Sequence, residues 1–98
     1  MNVTEAELAI VREVFSRHLK GHPCTLYVFG SQVKGKARED SDLDILVESE
    51  NRLPLHQIAK IKEDLENSNL RYPVDIVESK ALAESYREEV MRTAVELC

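Results

Sequence analysis

Residues 25–47 read TLYVFGSQVKGKAREDSDLDILV. Two β-rich runs frame this stretch, TLYVF at 25–29 and LDILV at 43–47. TLYVF shows no polar alternation, which predicts a strand buried on both faces. Gly30 and Ser31 close it, and the residues that follow suit a short helical segment. The second strand opens on two aspartates one residue apart, Asp42 and Asp44. Strand, turn, short helix and strand therefore set a sheet at the centre of the chain.

Working outward, a first helix is expected to start near Thr4. Thr4 and Glu7 have capping-box spacing, with Val3 placed as a hydrophobic staple. Leu8, Val11, Val14 or Phe15, and Leu19 repeat at helical spacing until Gly21 and Pro23 end the run. Beyond the second strand, Leu55, Ile58, Ile61 or Lys62, and Leu65 mark a helix beginning near Pro54, which a first turn tolerates. Asn67, Ser68 and Asn69 stop it. VDIV at 74–77 predicts a third strand. From about Ala81 onward, Leu82, Tyr86, Val90, Ala94 and Leu97 form one helical stripe. Strands alternating with helices indicate an α/β (α+β) domain: a small mixed sheet of three to four strands with helices packed on it.

The 98 residues suit one compact domain, and 43% hydrophobic content is ordinary for a globular chain. No apolar run approaches the roughly 18–20 residues that span a bilayer. The acidic N-terminal stretch lacks the pattern of a signal peptide, so a cytoplasmic protein without membrane contact is the default expectation. Cys24 and Cys98 form no disulfide framework. Cys24 reads as a small apolar residue beside a strand, and Cys98 as a frayed end. Thirteen basic against eighteen acidic side chains give a net charge of -5, which disfavours stable nucleic-acid binding. Lys34, Lys36 and Arg38 nevertheless cluster after the Gly-Ser pair, a local positive spot suited to a small anion.

Asp42 and Asp44, two apart on a strand, point to the same side. Their mutual repulsion raises one pKa unless a cation neutralises them, and Mg²⁺ takes one or two carboxylates together with substrate phosphates. The plainer reading is a solvated polar start to the strand. Gly30 permits close approach of backbone to a phosphate and Ser31 adds a hydroxyl donor, although most Gly-Ser pairs are simply turns. Asp75 lies within an apolar strand, where an unpaired buried charge is costly. Next to the Asp42–Asp44 strand it brings a third carboxylate for metal binding or proton removal; on an edge strand it faces water. His18 and His22 have zinc-ligand spacing, but the Gly21–Pro23 break and the lack of a third ligand favour ordinary surface histidines. His56 reads as solvated, and KEDLE at 62–66 as a solvated helix face.

Together these residues resemble the nucleotidyltransferase superfamily that includes DNA polymerase beta, whose pattern is Gly-Ser, ten residues, then Asp-x-Asp. Ser31 and Asp42 have that spacing. The detail is similar to minimal nucleotidyltransferase (MNT) domains, the MntA-type antitoxins of HEPN/MNT toxin–antitoxin systems among them. Their motif falls on Gly30, Ser31, Lys34, Gly35, Ser41, Asp42 and Asp44, with the later strand acid at Asp75. The resemblance covers the element order of the whole chain and implies a single MNT domain over residues 1–98 with the nucleotidyltransferase fold. It implies catalytic and metal-binding roles for Asp42, Asp44 and Asp75, with two Mg²⁺ ions. It also implies nucleotide binding by Gly30, Ser31, Lys34 and Ser41, with ATP as substrate. Val33 stands where a small residue is frequent and Lys34 where arginine is frequent; lysine keeps the charge and loses the bidentate fork.

With no second domain to grip an RNA or a drug, the acceptor implied is a hydroxyl on a partner protein. The resemblance points to a HEPN ribonuclease toxin, neutralised by transfer of AMP from ATP. Two other readings stand beside it: an antitoxin that acts by binding alone, and a nucleotidyltransferase for a small molecule. The C-terminal stripe can pack on the chain's own sheet or on a partner, and the small size of the chain favours the first.

Overall fold

The computed structural model describes residues 3–35 and 42–97, apart from the side chain of Lys34. In chain order the elements are α1 (Glu5–His18), β1 (Cys24–Phe29), α2 (Ser31–Lys34), β2 (Leu43–Ser49), α3 (Leu55–Glu66), β3 (Val74–Glu78), α4 (Glu84–Thr93) and β4 (Val95–Glu96). A 3-10 turn at Ser79–Ala81 precedes α4. The strands form one mixed sheet in the order β3-β2-β1-β4. β1 pairs antiparallel with β2 and β4, while β2 and β3 run parallel. The crossover between the parallel strands is α3, as a parallel pair requires. This is the mixed α/β sheet expected from the sequence.

Alternation along the strands separates two faces. Leu26, Val28, Leu43, Ile45, Val47 and Val74 pack with Val11, Val14 and Phe15 of α1 and Ile61 and Leu65 of α3 in the main core. The opposite face carries a smaller cluster of Phe29, Leu46 and Val90, with Tyr27, Val77 and Leu82 beside it. Arg87 of α4 bonds to Glu48 of β2 on this second face.

α1 starts as its sequence dictates. Thr4 Oγ1 accepts from the Glu7 amide at 3.2 Å, and Glu7 Oε1 accepts from the Thr4 amide at 3.0 Å. Val3 and Leu8 are both buried in the main core, consistent with the staple. Glu7 also receives Arg71 at 2.9 and 3.0 Å, which ties the loop before β3 to the first turn of the helix. The Arg71 guanidinium, followed by the Thr4 bonds, holds the Glu7 carboxyl down at about 2 against burial, which pushes it upward.

Several expectations need correction. The helix stripe drawn through Ala94 and Leu97 breaks at Thr93. Ala94 is extended, at φ -64° and ψ 142°, and Val95 and Glu96 pair with Val28 and Tyr27. The open edge of β1 offers backbone partners that outweigh helical periodicity, and β-branched Val95 suits a strand. The Leu97 amide continues the pairing by donating to the Leu26 carbonyl at 2.7 Å. α4 also begins three residues late, after the 3-10 turn. On α3, Pro54 caps the helix from outside, its carbonyl accepting from Gln57 and Ile58. Leu55 is 80% exposed. At 3.6 residues per turn it points roughly a quarter turn away from Ile58, Ile61 and Leu65.

His18 is no ordinary surface histidine: its Nε2 lies 2.6 Å from Asp64 Oδ2 and joins α1 to α3. Asp64 is thereby drawn out of the solvated face assigned to residues 62–66. His22 and His56 are exposed, as expected. Lys36, Arg38, Ser41 and Cys98 lie outside the described residues. Cys24 opens β1 and is half-buried.

Candidate functional site

The site is assembled on one row of the sheet. Asp44 on β2 stands opposite Phe29 at the end of β1, and its parallel neighbour on β3 is Asp75. The row lies on the face that carries α4, because Asp44 shares its side with Leu46 while Leu43 and Ile45 enter the main core. β3 is an edge strand and Asp75 is exposed. Both alternatives for Asp75 therefore hold: it faces water, and it neighbours Asp44.

Gly30 follows Phe29 directly, so the antiparallel register brings the turn against Asp44. Its φ is +79° with ψ -152°, a conformation close to glycine-only. A Cβ at this position would stand 2.3 Å from Asp44 Oδ2. The Gly-Ser turn and the Asp44 carboxylate are thus in contact. Ser31 begins α2, which Gly35 ends in a left-handed cap at φ 72°.

Burial is the main cause that pushes the Asp44 carboxyl up to about 6, reinforced by the negative charges of Asp75 and Asp42. Asp42 is exposed just ahead of β2. The charges of Asp42 and Asp75 thus both reach Asp44. Among the described residues no three metal-ligating side chains stand close enough to make a ready cation cage. Carboxylates grouped at one end of the sheet still fit Mg²⁺, which keeps waters and completes its shell with substrate phosphates.

A cavity of about 380 Å³ opens here, within the range of small-molecule sites. Gly30, Asp44 and Asp75 line it, together with Phe29, Val77, Leu82 and α4 residues. Asp42 and Ser31 are not among its described lining residues, although Asp42 acts on Asp44 through its charge; the side chain of Lys34 lies outside the described residues. Ser41 lies outside the described residues. Gln32 of α2 is fully buried, and its amide nitrogen and oxygen have no partner among the described residues.

The α4 wall is what the sequence reading missed. Tyr86, Glu89, Val90 and Thr93 follow i, i+3, i+4, i+7 spacing and present one helix face to the cavity. That spacing was visible in the sequence. The packing expected of this stripe holds for Val90, which is buried with Phe29 and Leu46, and not for Tyr86; hydrophobic periodicity marks a face without saying whether sheet or ligand covers it.

Comparison with known proteins bears on this geometry. The profile of the family Polymerase beta, Nucleotidyltransferase matches residues 11–98. The chain belongs to this family. Among other members, this nucleotidyltransferase is 33% identical over 95 residues to the probable protein adenylyltransferase MntA of Haemophilus influenzae, covering 97% of this chain and 82% of that one. It is 41% identical over 68 residues to the protein adenylyltransferase MntA of Thermococcus cleftensis, covering 69% and 68%. Its fold matches a chain in the solved structure of a tri-AMPylated Shewanella oneidensis HEPN toxin with its MNT antitoxin. There the TM-score is 0.72 at 17% identity, over 96% of this chain and 71% of that one. No helix among the described residues of the nucleotidyltransferase is long and apolar enough to cross a membrane.

Proposed function

We propose that this nucleotidyltransferase transfers AMP from ATP to a hydroxyl of a partner protein. We further propose that the partner is a HEPN ribonuclease toxin, which the transfer neutralises. The observation that carries the reading is the contact of Gly30 with Asp44 in the same cavity as Asp75. It joins a glycine turn to an acid pair, which is the combination a metal-bound triphosphate needs. The relatives named for protein adenylylation and the AMPylated toxin support the choice of donor and acceptor.

In this reading Gly30 and Ser31 receive the triphosphate on backbone and hydroxyl donors, with Lys34 and Ser41 as further contacts. Asp42, Asp44 and Asp75 hold two Mg²⁺ ions. When bound, Mg²⁺ supplies charge neutralisation on the triphosphate and lowers the pKa of the attacking hydroxyl. Asp75, exposed at the edge of the sheet, accepts the proton of the acceptor hydroxyl. The acceptor oxygen bonds to the α-phosphorus, the bond to the bridging oxygen breaks, and pyrophosphate leaves. The half-buried Asp44, held against Gly30, orients the phosphates relative to the row.

The test is the mass of the partner after incubation with this protein, ATP and Mg²⁺. A gain of one or more AMP units, absent with the Asp42→Ala/Asp44→Ala variant, is expected. An unmodified toxin that is still neutralised by that variant would overturn transfer in favour of binding alone.

A further inference from the structure

The cavity mixes two kinds of lining. Gly30, Asp44 and Asp75 bring the turn and the acids; Phe29, Val77, Leu82, Tyr86 and Val90 bring apolar and aromatic surface, with Glu89 and Thr93 beside them on α4. Tyr86 is the anomaly. It is 51% exposed, yet it sits on the face of α4 that carries buried Val90 and that lines the cleft. It is the one aromatic residue of α4 and lines the same cavity as Asp44 and Asp75. A nucleotide has the complementary division: charged phosphates that need the turn and the acids, and a flat base that needs an aromatic or apolar surface. Every base has a π-face, so one aromatic ring serves any of them.

We infer that Tyr86 is the stacking platform for the nucleobase of the donor, flanked by Leu82 and Val77. The assignment rests on the nucleotidyltransferase reading of the turn and the acids and extends it to the base. α4 then has a double task. Val90 and Arg87 fix the helix to β2 and its neighbours, while Tyr86, half exposed, remains at the cavity surface for the ligand. As a positioning residue, Tyr86 sets where the α-phosphate lies relative to Asp75 and takes no part in bond making.

The test compares two ligands that share the phosphates and differ in the base. The full chain is titrated, with Mg²⁺ present, against a non-hydrolysable ATP analogue and against inorganic tripolyphosphate. Tyr86→Ala is expected to weaken the analogue roughly five- to a hundredfold, the range for losing one base–aromatic stack, and to leave tripolyphosphate unchanged. Tyr86→Phe keeps the ring and is expected to bind both as the unaltered protein does. Equal loss of both ligands in Tyr86→Ala, no loss of either, or a Tyr86→Phe variant as weak as Tyr86→Ala overturns the assignment. Failure of the unaltered protein to bind either ligand overturns the nucleotidyl-transfer reading itself, a different outcome.

Discussion

A methyl group added at Gly30 meets Asp44 Oδ2 at 2.3 Å on a backbone held at φ +79°. Both strain and collision therefore oppose any side chain there. Gly30→Ala is expected to cost about 1–3 kcal/mol from the backbone conformation alone. Thermal melting reads this as a loss of roughly 4–8 °C per kcal/mol for a domain of this size. Because the collision is with the Asp44 side chain, Gly30→Ala/Asp44→Ala should recover part of the loss, a non-additivity that marks residues in contact. Simple addition of the two single effects would show that the carboxylate is not what excludes the side chain. At this scale the sequence was informative about chemistry and silent about contact. The two-residue spacing of Asp42 and Asp44 led to the expectation of one shared side, although β2 begins only at Leu43, and Asp75 stood out in its apolar strand. That Asp44 presses on Gly30 follows from the register of β1 against β2, which no local pattern encodes.

Among the elements, α1 shows how a helix start can be read directly and still hide a tertiary tie. The capping box was legible; Arg71 reaching Glu7 from the loop before β3 was not, since the two are 64 positions apart. The Glu7 carboxyl is held at about 2, below its ordinary 4.5, so the folded state favours the ionised form. The stability this provides is complete above pH 4.5 and is lost as the pH falls from there towards 2. Glu7→Gln keeps the shape of the capping side chain and removes the charge. It is expected to lower stability by about 1–2 kcal/mol near neutral pH, a value reduced because Arg71 is largely exposed. In denaturant titrations the gap between variant and unaltered protein should narrow near pH 3; a gap independent of pH would show that the pair contributes through shape alone. The C-terminal end gave the opposite lesson. Leu82, Tyr86 and Val90 continue in helical register into Ala94 and Leu97, and only the vacant edge of β1 tells the chain to become a strand.

For the molecule as a whole, the two faces of the sheet are unequal. α1 and α3 share the main core, whereas α4 rests on the small cluster of Phe29, Leu46 and Val90 and on the Arg87–Glu48 pair. Fewer buried apolar contacts mean a lower local opening energy. Amide hydrogen exchange is therefore expected to be slowest in β1 and β2 and faster in α4 and β4, with a nucleotide analogue and Mg²⁺ slowing α4. Equal protection of α4 and β2 in the free protein would contradict this. The helix that walls the cleft is thus the one most free to adjust to an occupant. The parallel pairing of β2 with β3 has a further consequence during synthesis. At about 5–20 residues per second, a nascent chain displays the Gly-Ser turn and the first acids before Asp75 is made, and before α4 follows. Until the crossover helix has brought β3 alongside β2, that chain carries the motif without the row that unites it. A chain interrupted within α3 accordingly lacks the row altogether, and the site can assemble only once synthesis has passed β3 and α4.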